Sequence, residues 1–350
     1  MREDLLFDAA AALVKILIVV NIALVIGAYM SLVERKVSAW MQDRIGPNRV
    51  GPVGLLQPIA DGLKFMFKED VVPGHVNRVL YILAPAIVLV PAFLVLAVIP
   101  FGPPMQVLGR QVQLAIADLD IGILFVFAIS SLGVYGIVFA GWASNSKYAM
   151  LGGVRSSAQM ISYEVSLGLS VVGIFMATQS LRLTDVINHQ ADGVWNCFTQ
   201  PIGFLVFVVC AFAETNRLPF DLPEAETELV AGYHTEYSSM KFAMFFLAEY
   251  TSMFVFSSLV AVLFLGGWDL PFVSQAALAP LGNWGALIGF GAFMLKALAF
   301  MFFYVWVRWT IPRFRYDQVM TLGWKILLPL TLVNIVITGA WPLIAHAGGR

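Results

Sequence analysis

Eight runs of roughly 17 to 24 mostly apolar residues punctuate the chain, each near the length that carries a helix through a bilayer. They lie near 12–33, 79–100, 119–141, 157–178, 199–215, 242–265, 284–307 and 324–345. The fifth, "FTQPIGFLVFVVCAFAE", is the shortest. Between the first two, "GLLQPIADGLKFMFKED" spaces Leu55, Leu56, Ile59, Leu63, Met66 and Phe67 at helical intervals, with Asp61, Lys64 and Lys68 among them. That pattern predicts an amphipathic helix lying in the membrane interface. The Gly- and Pro-rich "RIGPNRVGPVG" ahead of it is an ordered turn or a flexible link. The expectation is an all-α integral membrane protein, residues 1–350 forming a single membrane domain of about eight transmembrane helices plus the interfacial helix. The longest connections, 34–78 and 216–241, contain no soluble domain, and no internal repeat is visible.

Composition agrees: 59% of residues are hydrophobic, 12% are charged and the mean hydropathy is +0.82, against about 25% charged in soluble domains. The apolar segment after "MREDLLFD" is too long and wrongly flanked for a cleaved leader, so it is expected to remain as the first span. Basic residues set the orientation. Arg35, Lys36, Arg44, Arg49, Lys64, Lys68, Arg78, Lys147, Arg155, Arg217, Lys241, Arg308, Arg313, Arg315 and Lys325 fall in the odd-numbered loops, and only Arg110 and Arg182 in the even ones. The positive-inside rule then predicts odd loops in the cytoplasm and both termini on the opposite, periplasmic side.

Several chemistries are missing. No phosphate-cradling glycine loop is present, the histidines lie in loops or near the C-terminus rather than within spans, and no Cys or His set has iron–sulfur or zinc spacing. Cys197 and Cys210 form no CxxC pair, and no pattern supports a disulfide between them. No cofactor is therefore expected on this chain alone, and any electrons come from another subunit. Membrane lipids are expected neighbours and nucleic acid is not.

The ionisable residues in or at the ends of spans are informative. Four stand out: Glu164, Glu214, Glu249 and Lys296. One acid near a helix centre costs roughly 2.5–3.5 kcal/mol, which about ten apolar neighbours offset, so each alone is tolerable as an interhelical hydrogen-bonding group. Together, the three acids share the cytoplasmic half, with Lys296 near the midplane. They suggest a polar funnel that opens to the cytoplasm and stops. Asp118 and Asp120, at the far boundary, read as helix caps. The stretch "AETNRLPFDLPEAETELVAGYHTEYSSM" gathers Glu214, Asp221, Glu224, Glu226, Glu228 and Glu236. If Pro223 starts a helix, Glu224 and Glu228 share a face, and neighbouring carboxylates that raise one another's pKa can hold and pass protons near neutral pH. The bland reading is a solvated loop. Against it, Leu218, Phe220, Leu222, Leu229 and Val230 interleave the acids. For Arg308, Arg313 and Arg315 plain membrane anchoring suffices.

Three segments carry a resemblance. "ERKVSAWMQDRIGPNRVGPVGLLQPIADGLKFMFKE", "GWASNSKYAMLGGVRSSAQMISYEVSLG" and "AETNRLPFDLPEAETELVAGYHTEYSSMKFAMFFLAEY" resemble the H-subunit family of bacterial NADH:quinone oxidoreductase, respiratory complex I, equivalent to mitochondrial NADH dehydrogenase subunit 1. The likeness runs over essentially the whole chain. It implies a subunit at the heel of the membrane arm whose first and sixth spans and interfacial helix frame the tunnel by which ubiquinone enters. By this likeness Glu34, Arg35, Arg44, Asp61 and Lys64 match positions around that tunnel, and Glu224, Glu226, Glu228 and Glu236 match the acidic loop near it. Glu164, Glu214 and Glu249 match the start of a buried acidic path toward the proton-pumping subunits, and Lys296 a basic residue tied to it. FMN and iron–sulfur clusters are implied in partner subunits. Those partners are the peripheral-arm quinone-site subunits, including the one carrying the terminal cluster, the adjacent small membrane subunits and, through them, antiporter-like subunits. The implied location is the bacterial inner membrane, or the mitochondrial one for an organellar chain. Some members carry a further acid in the third span, where this chain has Ser130, Ser131 and Tyr135, so the onward path differs or uses water and hydroxyls.

Two other readings compete. The membrane anchor of a related hydrogenase or formate hydrogenlyase shares parts of the framework but needs no quinone tunnel, whereas the first loop here is complete. A stand-alone cation-coupled transporter would show paired repeats and broken spans, and the hydropathy shows no such symmetry.

Overall fold

The computed structural model describes residues 2–191, 193–222, 229–271, 273 and 279–347. Its helices are α1 (Arg2–Met41), α2 (Gln57–Phe67), α3 (Arg78–Val95), α4 (Gly122–Ser130), α5 (Leu132–Ala143), α6 (Lys147–Thr178), α7 (Leu183–Ala191), α8 (Asn196–Thr199), α9 (Pro201–Glu214), α10 (Ser239–Phe264), α11 (Asn283–Thr310), α12 (Tyr316–Thr321) and α13 (Leu328–Ala347). A hairpin of β1 (Met105–Val107) and β2 (Arg110–Val112) is added between α3 and α4. Leu108 and Gly109 turn it, both with positive φ, as two-residue hairpin turns require. Among the described residues seven helices are long and apolar enough to cross a membrane, and α9 is a shorter apolar helix.

Several helices run past the hydrophobic stretches that announce them. α1 continues through Glu34, Arg35 and Lys36 to Met41 because nothing breaks it before the Gly–Pro segment. α6 begins ten residues ahead of position 157, since Lys147 and Arg155 are as compatible with a helix as apolar residues are. α3 carries Pro85 and Pro91 and ends at Val95, short of position 100. The third apolar run is interrupted at Ser130–Ser131, where Ser130 Oγ donates to Phe127 O and Ser131 Oγ to Ala128 O. Such back-bonding bends helices. α9, at 14 residues, is about 21 Å long, less than the ~30 Å hydrocarbon core.

α10 forms the axis, with nearly every side chain from Tyr250 to Phe264 buried; α1, α3 and α11 pack around it. Without water to squeeze out between helices, packing inside a membrane depends on close approach. Gly203 of α9 provides one such approach: a Cβ there would lie 2.7 Å from the Ser170 carbonyl of α6. The far end of α10 is fastened by side chains from other elements. Gln190 donates to Val262 O and Asn196 to Leu263 O. α2 contacts α10 and α1 and leaves Ile59, Leu63, Met66 and Phe67 exposed, the arrangement its amphipathic spacing predicts.

Candidate functional site

The end of α9 determines where the site forms. Asn216 takes a left-handed conformation, φ 50°, which Asn tolerates better than most residues. The α6 side chains of Ser156 and Gln159 donate to its Oδ1, and Gln159 also donates to Ala213 O. This turn directs Arg217 inward, where the side chain is 6% exposed.

Around Arg217 lies a buried ion cluster drawn from four parts of the chain. Its Nη1 is 3.1 Å from Glu34 Oε1 of α1, and its Nε is 2.5 Å from Glu249 Oε1 of α10. Tyr250 Oη donates to Glu34 Oε2 at 2.8 Å, and the guanidinium lies over the Tyr250 ring. Arg308, in the last turn of α11, also pairs with Glu34. Among the described residues two cations and two carboxylates balance, as buried charges must. Removing one member would leave an uncompensated charge, a cost of about 3–5 kcal/mol. Burial by itself would lower the pKa of Arg217, but Glu249 and Glu34 more than offset this and hold it above its ordinary value.

Beside the cluster is a cavity of about 60 Å³ where Glu214, Glu249, Thr215, Asn216, Ser130, Tyr233 and Ser252 line the wall among apolar residues such as Val88, Ala92, Val95 and Phe256. At roughly 15 Å³ for each water it has room for about four. Glu214, the last residue of α9, is 6% exposed, and its Oε2 has no hydrogen-bond partner among the described residues. An unsatisfied buried carboxylate oxygen on a residue that lines this cavity calls for water or a proton. Glu164 of α6 is half-buried and near enough for its charge to act on Glu214.

Other residues singled out in the sequence fall into separate groups. Arg35, Asp61 and Lys64 meet at the α1–α2 junction, with Arg35 Nη1–Asp61 Oδ2 at 2.8 Å and Lys64 Nζ–Asp61 Oδ1 at 3.6 Å. Arg44 stands apart, bonded to Gln42. Glu236 contributes its backbone carbonyl, which accepts from Tyr81 Oη at 2.6 Å. Glu224, Glu226 and Glu228, and the helix start at Pro223, lie outside the described residues.

Lys296 is not gathered with the acids. Its Nζ donates to Leu265 O, Gly267 O and Asp269 O and sits 4.4 Å from the Trp195 ring centroid. That places it at the opposite end of α10, sixteen residues or about 24 Å along the helix from Glu249, where it fastens the chain leaving α10. Asp118 and Asp120 are not helix caps: both pair with Arg182, and Asp118 accepts from Thr184 Oγ1. Cys197 and Cys210 are free thiols.

Sequence reasoning missed Arg217, Tyr250 and Arg308 as members of one centre. It also missed Lys15, an ionisable group within the first span, whose Nζ donates to Ala115 O at 2.7 Å. The usable signal was the need of Glu34 and Glu249 for cations: Arg217 and Arg308 are basic residues bordering the neighbouring spans.

The NADH dehydrogenase family model matches residues 14–339. The chain is 49% identical over 322 residues to the H 1 subunit of NADH-quinone oxidoreductase from Cytophaga hutchinsonii, covering 92% of this chain and 94% of that one. It is 51% identical over 336 residues to the H 2 subunit from Geobacter sulfurreducens, covering 96% and 97%. An H 2 subunit from Koribacter versatilis is 50% identical over 341 residues, covering 93% and 95%.

Proposed function

The chain belongs to the NADH dehydrogenase family as a membrane subunit of NADH:quinone oxidoreductase, and from that premise we propose that it frames the ubiquinone-access tunnel and couples quinone reduction to proton translocation. The observation that carries the reading is the sharing of Arg217 between Glu34 on α1 and Glu249 on α10, beside the cavity at Glu214. The first and sixth spans are those that the family resemblance places at the tunnel. The α1–α2 junction, with Arg35, Asp61 and Lys64, forms the entrance, and Arg44 lies on its approach.

Electrons come from an iron–sulfur cluster in a peripheral-arm partner, and FMN also belongs to partners. The residues of this chain handle charge. Reduction of quinone draws protons and changes the charge near Glu34 and the acidic loop of Glu224, Glu226, Glu228 and Glu236. When Arg217 shifts toward Glu34, the positive charge beside Glu249 weakens and protonation of its carboxylate is favoured, because burial disfavours the charged form. Waters in the cavity pass the change to Glu214, and Glu164 carries it laterally toward the small membrane subunits and, through them, the antiporter-like ones. The Ser130 hydroxyl, opening on the same cavity, serves where some relatives carry a third-span acid. Lys296 acts on this path indirectly, by fixing the far end of α10. The protein resides in the inner membrane, with its basic loops in the cytoplasm and both termini in the periplasm.

The test uses membranes carrying Glu214→Gln or Glu228→Gln, with assembly checked on native gels and NADH-driven quinone reduction and proton translocation measured together. Loss of either activity in assembled enzyme supports the coupling role. Full retention of both in both variants rejects it.

A further inference from the structure

A second set of contacts, away from the ion cluster, joins the loop after α2 to the segment that leads into α10. Tyr81, fully buried at the start of α3, stacks on Tyr237 with ring centroids 4.2 Å apart and planes 8° from parallel. Its hydroxyl donates to Glu236 O. Lys241 Nζ contacts both carboxylate oxygens of Asp70, at 2.7 and 2.6 Å, and lies 5.5 Å from the Tyr81 ring centroid. Ser238 Oγ accepts from Val71 N and donates to Glu69 O. Ser239 Oγ donates to Phe65 O in the last turn of α2. The joined segments are 155 to 174 residues apart in sequence, so the contacts do not follow from chain connectivity. Ser239 has a φ of 55°, a left-handed conformation uncommon outside glycine, which persists where the surroundings over-determine it.

The clasp occupies an informative place. One side is α2, the interfacial helix; the other is the root of α10, ten residues or about 15 Å before Glu249. None of Tyr81, Tyr237, Ser238 and Lys241 lines the cavity at Glu214. The geometry points to these four as positioning residues that bind the end of α2, the start of α3 and the base of α10 into one body, so that displacement at the interfacial helix reaches Glu249 as movement of its helix. This rests on the proposed coupling role and names the mechanical link on which that role depends. A stacked pair, an ion pair and three seryl hydrogen bonds resist shear in different directions. A single contact would act only as a pivot.

The experiment is a charge reversal with rescue in the assembled complex in membranes. Asp70→Lys and Lys241→Asp each set like charges together, and the double variant restores an opposite pair. Each single reversal is expected to lower protons moved per NADH oxidised at least two-fold while NADH oxidation stays within two-fold of wild type, with the double variant recovering the ratio. Recovery by reversal is not expected if either side chain serves only by bulk or solubility. Normal pumping in the single variants, or no recovery in the double, overturns the inference. If native gels show that the singles fail to assemble, Tyr81→Phe decides. It keeps the stacked ring and deletes only the bond to Glu236 O, and a lowered ratio supports the clasp while an unchanged one rejects it. Glu214→Gln and Glu249→Gln in parallel separate the two levels. If they uncouple and the clasp variants do not, the clasp alone fails; if they pump normally, the coupling role itself fails.

Discussion

Arg217 has the most to lose by substitution. It is the cation shared by two carboxylates on different helices; Arg217→Met would leave Glu34 with Arg308 but take from Glu249 the Arg217 charge, a loss of about 3–5 kcal/mol. The expected outcome is a marked fall in assembled complex on native gels and faster thermal inactivation; assembly equal to wild type would contradict it. Adding Glu249→Gln to that variant removes the buried charge that has lost Arg217, so assembly should recover while pumping does not. The pH dependence has a definite sign. Because the folded pKa of Arg217 is raised, its contribution to stability is complete below the unfolded guanidinium value and is lost only as pH rises through the still higher folded value. No alkaline loss traceable to this residue is expected up to about pH 10.

At the scale of elements, the interruption between α4 and α5 matters most. There, at the end of α4, Ser130 lines the cavity that also holds Glu214 and Glu249. Ser130→Val replaces the hydroxyl with a larger, branched apolar group, and it should lower protons moved per NADH several-fold with quinone reduction largely kept. Ser130→Glu should retain pumping by supplying a titratable group at the same place. Equal pumping in Ser130→Val and wild type would remove the hydroxyl from the path. The interruption itself was not legible in the hydropathy, because two serines hardly lower the mean of a run rich in Ile, Leu and Phe. Their hydrogen bonds to the preceding turn are a local geometric matter. The interfacial helix, by contrast, was plain in the spacing of Ile59, Leu63, Met66 and Phe67, since one-sided burial at a membrane surface imposes the helical period on the sequence.

Across the whole molecule, α10 joins the pieces. Lys296, Gln190 and Asn196 fasten its far end, the Tyr81–Tyr237 clasp holds its root, and Glu249 with Tyr250 places the ion cluster between them. The apolar runs and the acids Glu164, Glu214 and Glu249 could be read from the sequence because spans need long hydrophobic stretches and intramembrane charges are costly. Which cation serves which acid could not. Pairs such as Glu34 with Arg217 and Arg308 depend on how distant helices pack, and Lys296 lies among apolar residues whether it faces an acid or the carbonyls at a helix end. Coupling of this kind requires that quinone chemistry change the protonation of Glu249 and Glu214. Its most direct test is the infrared difference spectrum between oxidised and quinol-loaded assembled enzyme, compared with Glu249→Gln and Glu214→Gln. A protonated-carboxyl band should appear on reduction in wild type and weaken or vanish in each variant; the same band, undiminished in both variants, would rule out protonation of these two acids.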